Sequence, residues 1–304
     1  MSANRLTFKA VMAQVSVPAT SANLGPGFDS LGLALDVRDI LAAQVLDEKS
    51  LTVDIAGEGK DDLRKDEKNL VVKSMYAAFD AMGGRPRGLA LSCANFIPHG
   101  KGMGSSAAAI VGGMALARAL VLSGTDRLSD QQLLKLANDF EGHPDNVAAA
   151  LYGGFTIAWV DGSVARATRI TPHEDVVAYA FIPQNSVATS KARRLLPEVI
   201  PHKDAALSAG RAALLVEAIA HHPEYLFDAT EDRLHQEYRR EAMPRSLSLV
   251  GKLREGGHAA FISGAGPTVL MLSTTRGLDL SKPAGGTFEV REVEISSSGP
   301  TILN

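Results

Sequence analysis

The chain has 304 residues, of which 45% are hydrophobic, with a formal net charge of −3 and a single cysteine. That length and apolar content suit one large or two medium domains with real cores and exclude a disordered chain. The near-neutral balance leaves no basic footprint for nucleic acid or an anionic membrane, and one cysteine cannot form an internal disulfide. A small-molecule partner and a reducing cytoplasm are the expectation.

Residues 1–5 carry no apolar signal core. From Val11 to Pro18 apolar residues alternate at Val11, Ala13, Val15 and Val17, which predicts a half-buried strand. Residues 19–29 (ATSANLGPGFD) follow, and Gly25, Pro26 and Gly27 predict an irregular loop into which Asn23 and Asp29 turn. Strands are predicted over 31–37, 40–46 and 51–55, then a helix over 68–82 closed by Gly83 and Gly84. A strand over 89–97 alternates Leu89, Leu91, Cys93 and Ile97 on one face, so Cys93 reads as a buried strand residue and not as a nucleophile.

Residues 99–109 (HGKGMGSSAAA) place Gly100, Gly102 and Gly104 at alternate positions before a proline-free helical run that extends to Leu122. Glycines at that spacing let the backbone bring its N–H groups close to an anion, and the unpaired amides at a helix start add partial positive charge. Ordinary capping is the plainer reading of the same residues, and neither the Walker phosphate-loop spacing nor the dinucleotide fingerprint occurs in the chain. That run is too short, and too interrupted by Arg118, to span a bilayer.

A second helix is predicted from Ser129 with Gln132 completing a capping box, and a third segment runs from Glu141 to Gly153. A strand over 155–160 and a loose stretch to 175 predict a domain boundary. Beyond it come a strand over 176–182, helices over 203–220 and 245–255, and strands over 258–263, 268–273 and 288–295. The pattern is mixed α+β, in domains 1–165 and 166–304.

Three segments taken together, 19–29, 98–107 and 263–267 (SGAGP), resemble in order and spacing the three motifs of the GHMP small-molecule kinases, over essentially the whole chain. Within that superfamily, residues 142–147 (GHPDNV), 189–197 (TSKARRLLP) and 233–239 (RLHQEYR) are similar to the homoserine kinase family. The resemblance implies a two-domain α+β GHMP kinase fold with a ferredoxin-like C-terminal domain and the active site in the interdomain cleft. It implies transfer of the ATP γ-phosphate to the side-chain hydroxyl of L-homoserine, a step of threonine biosynthesis.

By the same resemblance, the ATP phosphates would be wrapped by Pro98, His99, Gly100, Lys101, Gly102, Met103, Gly104, Ser105 and Ser106, with Mg²⁺ on Ser106 and Glu141. Arg193 and Arg239 would take the substrate carboxylate, Asn23 and Asp29 its ammonium or hydroxyl, and Thr189, His143 and Asn146 would complete the pocket. Asn146, Asp29 and Arg193 are the catalytic candidates. Two positions depart from the family pattern: Ala265 replaces a more usual serine, and Ala149 a more usual proline. Asn146 cannot take a proton at neutral pH, so a base-free mechanism and proton abstraction by Asp29 or Asp145 both stay open. Another GHMP kinase acting on a different small hydroxy acid, and a non-catalytic metabolite sensor, are the alternative functions. The oligomeric state is open, a homodimer included.

Overall fold

The computed structural model describes residues 6–303, so the polar opening stretch 1–5 lies outside them. Alternation from Val11 continues into a strand longer than predicted, β1 (Ala13–Asn23), which pairs antiparallel with β2 (Gly27–Leu46). The segment from Ala19 to Asn23 is therefore not an irregular loop. Every residue from Val15 to Asn23 is buried, and a buried backbone must have partners for its polar groups, which the ladder supplies. The turn itself takes positive φ at Asn23, Leu24 and Gly25, and Asp29 at the start of β2 does so as well. The two strands predicted over 31–37 and 40–46 are one strand, bent by a register shift opposite Pro18 and Ala19, where proline has no N–H to offer.

β3 (Leu51–Gly57), α1 (Leu70–Met82), β4 (Gly88–Asn95) and α2 (Ser105–Leu120) follow. Asn69 caps α1 by accepting from the Val71 and Val72 amides, and Gly83 closes it at φ 120°. Helix α2 is buried nearly all round, because it lies between α1 and the sheet. A Cβ at Gly112 would come within 2.7 Å of Leu41, and one at Gly113 within 2.8 Å of the Val71 carbonyl. These two glycines set how closely α2 approaches its neighbours. Cys93 is buried as predicted, and burial pushes its thiol up to about 12.

A short α3 (Gly124–Arg127) leads to α4 (Asp130–Glu141), whose capping box uses Ser129 and Gln132 as predicted, and α5 (Pro144–Tyr152). β5 (Phe155–Asp161) then pairs along its length with β6 (Val164–Ile170), where a loose stretch was expected. Gly162 at φ 61° makes the tight reversal. These strands complete a sheet whose edge is closed by the last one, β11 (Thr301–Leu303). Residue 165 thus falls inside a strand. The first sheet runs to Ile170 and takes back the C-terminal residues, so the two halves of the fold are not divided at 165.

The second sheet holds β7 (Val177–Pro183), β8 (Ala259–Ile262), β9 (Val269–Ser273) and β10 (Phe288–Val293) in the order β10-β7-β9-β8, all antiparallel. Between β7 and β8 lie α6 (Thr189–Arg194), α7 (His202–Ala220), α8 (Leu226–Ala229) and α9 (Pro244–Glu255), and α10 (Ser281–Ala284) precedes β10. This is the ferredoxin-like arrangement. Arg38 on β2 ties the returning tail to the first sheet, donating to the Ser16 and Ser296 hydroxyls and the Gly299 carbonyl. Among the described residues no helix is long and apolar enough to cross a membrane.

Asp39 on β2 fixes the approach to the glycine loop. Its Oδ1 accepts from the Phe96 and Ile97 amides at 2.7 and 2.9 Å. Burial, against the opposing pull of those amides, raises its pKa from 3.8 to about 6. The folded carboxyl thus holds its proton more tightly than the unfolded one, so its contribution is most favourable below about pH 4 and is lost as pH rises to about 6. Asparagine keeps the acceptor oxygen and removes the charge. Asp39→Asn should raise the unfolding free energy at pH 7 by on the order of 2 kcal/mol, seen as a higher urea midpoint, and flatten the stability slope between about pH 4 and 6. An unchanged slope would assign it to another group.

Candidate active site

The glycine loop adopts positive φ at Gly100, Gly102 and Gly104, at 66°, 80° and 68°. Its carbonyls are turned outward into the protein. That of Gly100 accepts from the Val187 amide, Lys101 from Thr268, Gly102 from the Ser263 hydroxyl and Met103 from the Thr20 amide. In a trans peptide the following N–H points the opposite way, so the amides of 101–104 are left for the cleft, in line with the first amides of α2. A Cβ on Gly104 would overlap the Thr20 hydroxyl, and one on Gly102 the Ser263 carbonyl. The loop thus has the geometry to cradle an anion and is held from behind by both other motifs.

In front of it lies a cavity of about 170 Å³ between the two sheets' domains. His99, Gly100, Gly102, Gly104, Ser105 and Ser106 line its loop side. Glu141, His143 and Asn146 come from α4 and α5, and Asn23, Thr189, Arg193 and Arg239 from the opposite side. Pro98 and Met103 are buried away from the cavity, and Lys101 does not line it. Asp29 stands just behind, with Arg193 donating to both its oxygens at 2.5 and 3.1 Å.

Several of these side chains are already engaged. Asn23 donates to the Gly264 carbonyl and accepts from the Asp29 amide, which joins the first motif to the third. Thr20 donates to Asn146 Oδ1 at 2.8 Å, leaving the amide nitrogen of Asn146 as its donor toward the cleft. Asp145 Oδ1 lies 2.7 Å from His143 Nδ1 and accepts from the Asn146 amide. Burial disfavours a charged His143, yet the hydrogen bond and charge of Asp145 outweigh it and raise the imidazole above its ordinary value. Arg239 is buried and is pushed down to about 10, by burial first and by the Arg193 charge second.

Two groups of residues bear on a cation. Asp29, His143 and Asp145 have donor atoms within 4.8 Å of one another. Their carboxylates are, however, committed to Arg193, His143 and the Asn146 amide. Ser106 donates to Glu141 Oε2 at 2.8 Å at the start of α2, beside the amide cradle. A hydroxyl and a carboxylate oxygen at that place are the donors a hard cation takes, and they fit Mg²⁺.

A second, more apolar cavity of about 200 Å³ is lined by Leu41, Ile55, Leu70, Val71 and Ile97, and the motifs gave no sign of it. It shares His99, Ser105 and Ser106 with the first, so the two meet at the start of α2. Thr20, Phe28 and His235 also escaped the sequence reading, although His235 sits four residues before Arg239 in a segment already singled out.

Residues 69–154 match the family described as GHMP kinases N terminal domain, and residues 205–279 the GHMP kinases C terminal family. The chain is 52% identical to the homoserine kinase of Streptomyces avermitilis over 97% of both chains. It is 53% identical to that of Streptomyces coelicolor, over 97% of this chain and 96% of that one. The crystal structure of homoserine kinase from Cytophaga hutchinsonii superposes with a TM-score of 0.86 at 26% identity, covering 98% of this chain and all of the other. With both halves of the fold and three interlocking motifs matched end to end, the chain belongs to the homoserine kinase family of the GHMP kinases.

Proposed function

We propose that the chain transfers the γ-phosphate of ATP to the side-chain hydroxyl of L-homoserine, giving O-phospho-L-homoserine. The observation that carries this reading is the meeting of two unlike cavities at one helix start: an apolar one sized for a nucleoside and a polar one rich in paired charges. ATP would place its base in the first, its phosphates on the amides of the glycine loop and α2, and its γ-phosphate toward the second. Mg²⁺ on Ser106 and Glu141 would neutralise phosphate charge.

The acceptor is a zwitterion with a hydroxyl, and the polar cavity, with Asp29 just behind it, offers a partner for each group. Arg239 takes the carboxylate by its fork, with Arg193 beside it. Asp29, now paired with Arg193, takes the ammonium, so that substrate replaces one ion pair with two. Asn146 donates to the hydroxyl or the transferring phosphoryl group, while Thr189 and His143 close the pocket. Both nearby carboxylates, Asp29 and Asp145, already have partners. Positioning and charge neutralisation therefore carry the transfer, as a loose transition state allows.

Purified protein should release ADP with MgATP and L-homoserine and far less with mevalonate, galactose or shikimate; turnover of mevalonate alone would overturn the assignment. Ser106→Ala and Glu141→Gln should lower kcat by at least about 10²-fold while apo thermal melts hardly move, since both sit at the cleft and outside the core. Wild-type turnover at saturating Mg²⁺ in either would remove that residue from the metal site. Arg239→Lys keeps a charge and loses the fork, so the homoserine KM should rise about 10- to 150-fold with the ATP KM much less changed. An equal loss for ATP would place Arg239 at the nucleotide.

A further inference from the structure

His235 is fully buried, 1% exposed, between the turn after β1 and Arg239. Its ring stacks on Phe28 with centroids 5.1 Å apart. Nε2 lies 2.8 Å from the Gly25 carbonyl, which can only accept, so Nε2 carries the hydrogen. Nδ1 lies 3.1 Å from Nη1 of Arg239, which can only donate, so Nδ1 presents a lone pair. The two contacts together specify one neutral tautomer. Burial favours the same form, lowering the imidazole below its ordinary value.

Nη1 of Arg239 has two hydrogens, and both are used: one on His235 Nδ1 and one on the Gly264 carbonyl at 3.0 Å. Nε is buried and has no partner among the described residues. A donor orphaned in this way is costly unless something else satisfies it. We propose that His235 is a positioning residue: with the Gly264 carbonyl it occupies Nη1 of Arg239, so that the Nε and Nη2 edge of the guanidinium faces the substrate carboxylate.

Rotating the guanidinium to offer Nη1 instead would break both contacts. The same imidazole hydrogen-bonds Gly25 of the first motif while Arg239 holds Gly264 of the third, so the recognition group is aligned to both motifs at once. This inference rests on Arg239 binding the homoserine carboxylate.

The test compares two amides in place of the imidazole. Glutamine at 235 can reach the Gly25 carbonyl but puts no acceptor where Nδ1 was. Asparagine restores an acceptor near Nδ1 and abandons Gly25. His235→Gln should raise the homoserine KM about 3- to 10-fold, with kcat and the ATP KM changed less than twofold. His235→Asn should hold the homoserine KM within about twofold even where its Tm falls. In an Arg239→Lys background the KM effect of His235→Gln should vanish, because the group it orients is gone.

If Arg239→Lys raises the homoserine KM and His235→Gln does not, the positioning role is wrong while the carboxylate assignment stands. If Arg239→Lys itself leaves the KM unchanged, both fall. Equal KM effects from the two amides, tracking their loss of Tm, would reduce His235 to a structural residue, and a variant too unstable to assay leaves the other to decide.

Discussion

The backbone of the glycine loop is pressed between strand β1 and the turn joining β8 to β9, with no room for a Cβ at Gly102 or Gly104. Everything chemical in the molecule follows from that contact. Four successive loop carbonyls are taken by Val187, Thr268, Ser263 and Thr20, groups from both halves of the fold, and peptide planarity then turns the intervening amides toward the cleft. Ser263 serves two of the motifs, donating to the Gly102 carbonyl while the Ser21 hydroxyl lies 2.9 Å away. The cradle is therefore a product of tertiary assembly, and the same assembly brings Asn23 of the first strand and Arg239 of the second half to its mouth.

This explains which features were legible in sequence. Helix boundaries were, because caps are local: Ser129 with Gln132, and Gly83, each act within one turn. The glycine loop was legible as well, since alternate glycines have few uses other than positive φ and close approach. The strand within the first motif was not, because a run such as 19–23 becomes a strand only where a neighbour supplies its ladder, and Leu35 to Gly32 supply it here. β6 escaped for the same reason, with Arg166 and Arg169 breaking any apolar run that would have marked it. The apolar cavity escaped because its lining is drawn from β2, β3, β4 and two helices, each contributing residues that read singly as core.

Residue roles show the limit more sharply. The two arginines were expected to act alike toward a carboxylate. In the fold they differ: Arg193 is half-exposed and already forked onto Asp29, whereas Arg239 is buried and has an unpartnered Nε. The guanidinium carbons stand 5.4 and 5.5 Å from the Phe28 ring centroid, which packs two like charges against one aromatic ring. Their mutual repulsion contributes to the lowering at Arg239. No spacing in the sequence distinguishes a committed arginine from an available one. That depends on what the neighbouring chain segments place against it.

The charge balance of the cleft bears on why the acceptor is a zwitterion. Asp29 and Asp145 face Arg193 and Arg239, so the acceptor side is close to neutral before anything binds. A ligand of net charge would upset that balance in a partly buried site, where uncompensated charge is costly. An amino acid adds one charge of each sign and can exchange with the Asp29–Arg193 pair at little electrostatic cost. The phosphates, by contrast, carry charge that this half cannot absorb; in the proposed binding mode they would meet it at backbone amides, a helix start and the Ser106–Glu141 oxygens. In that binding mode the division between the two cavities is also a division of charge, and the reacting hydroxyl would sit at the boundary.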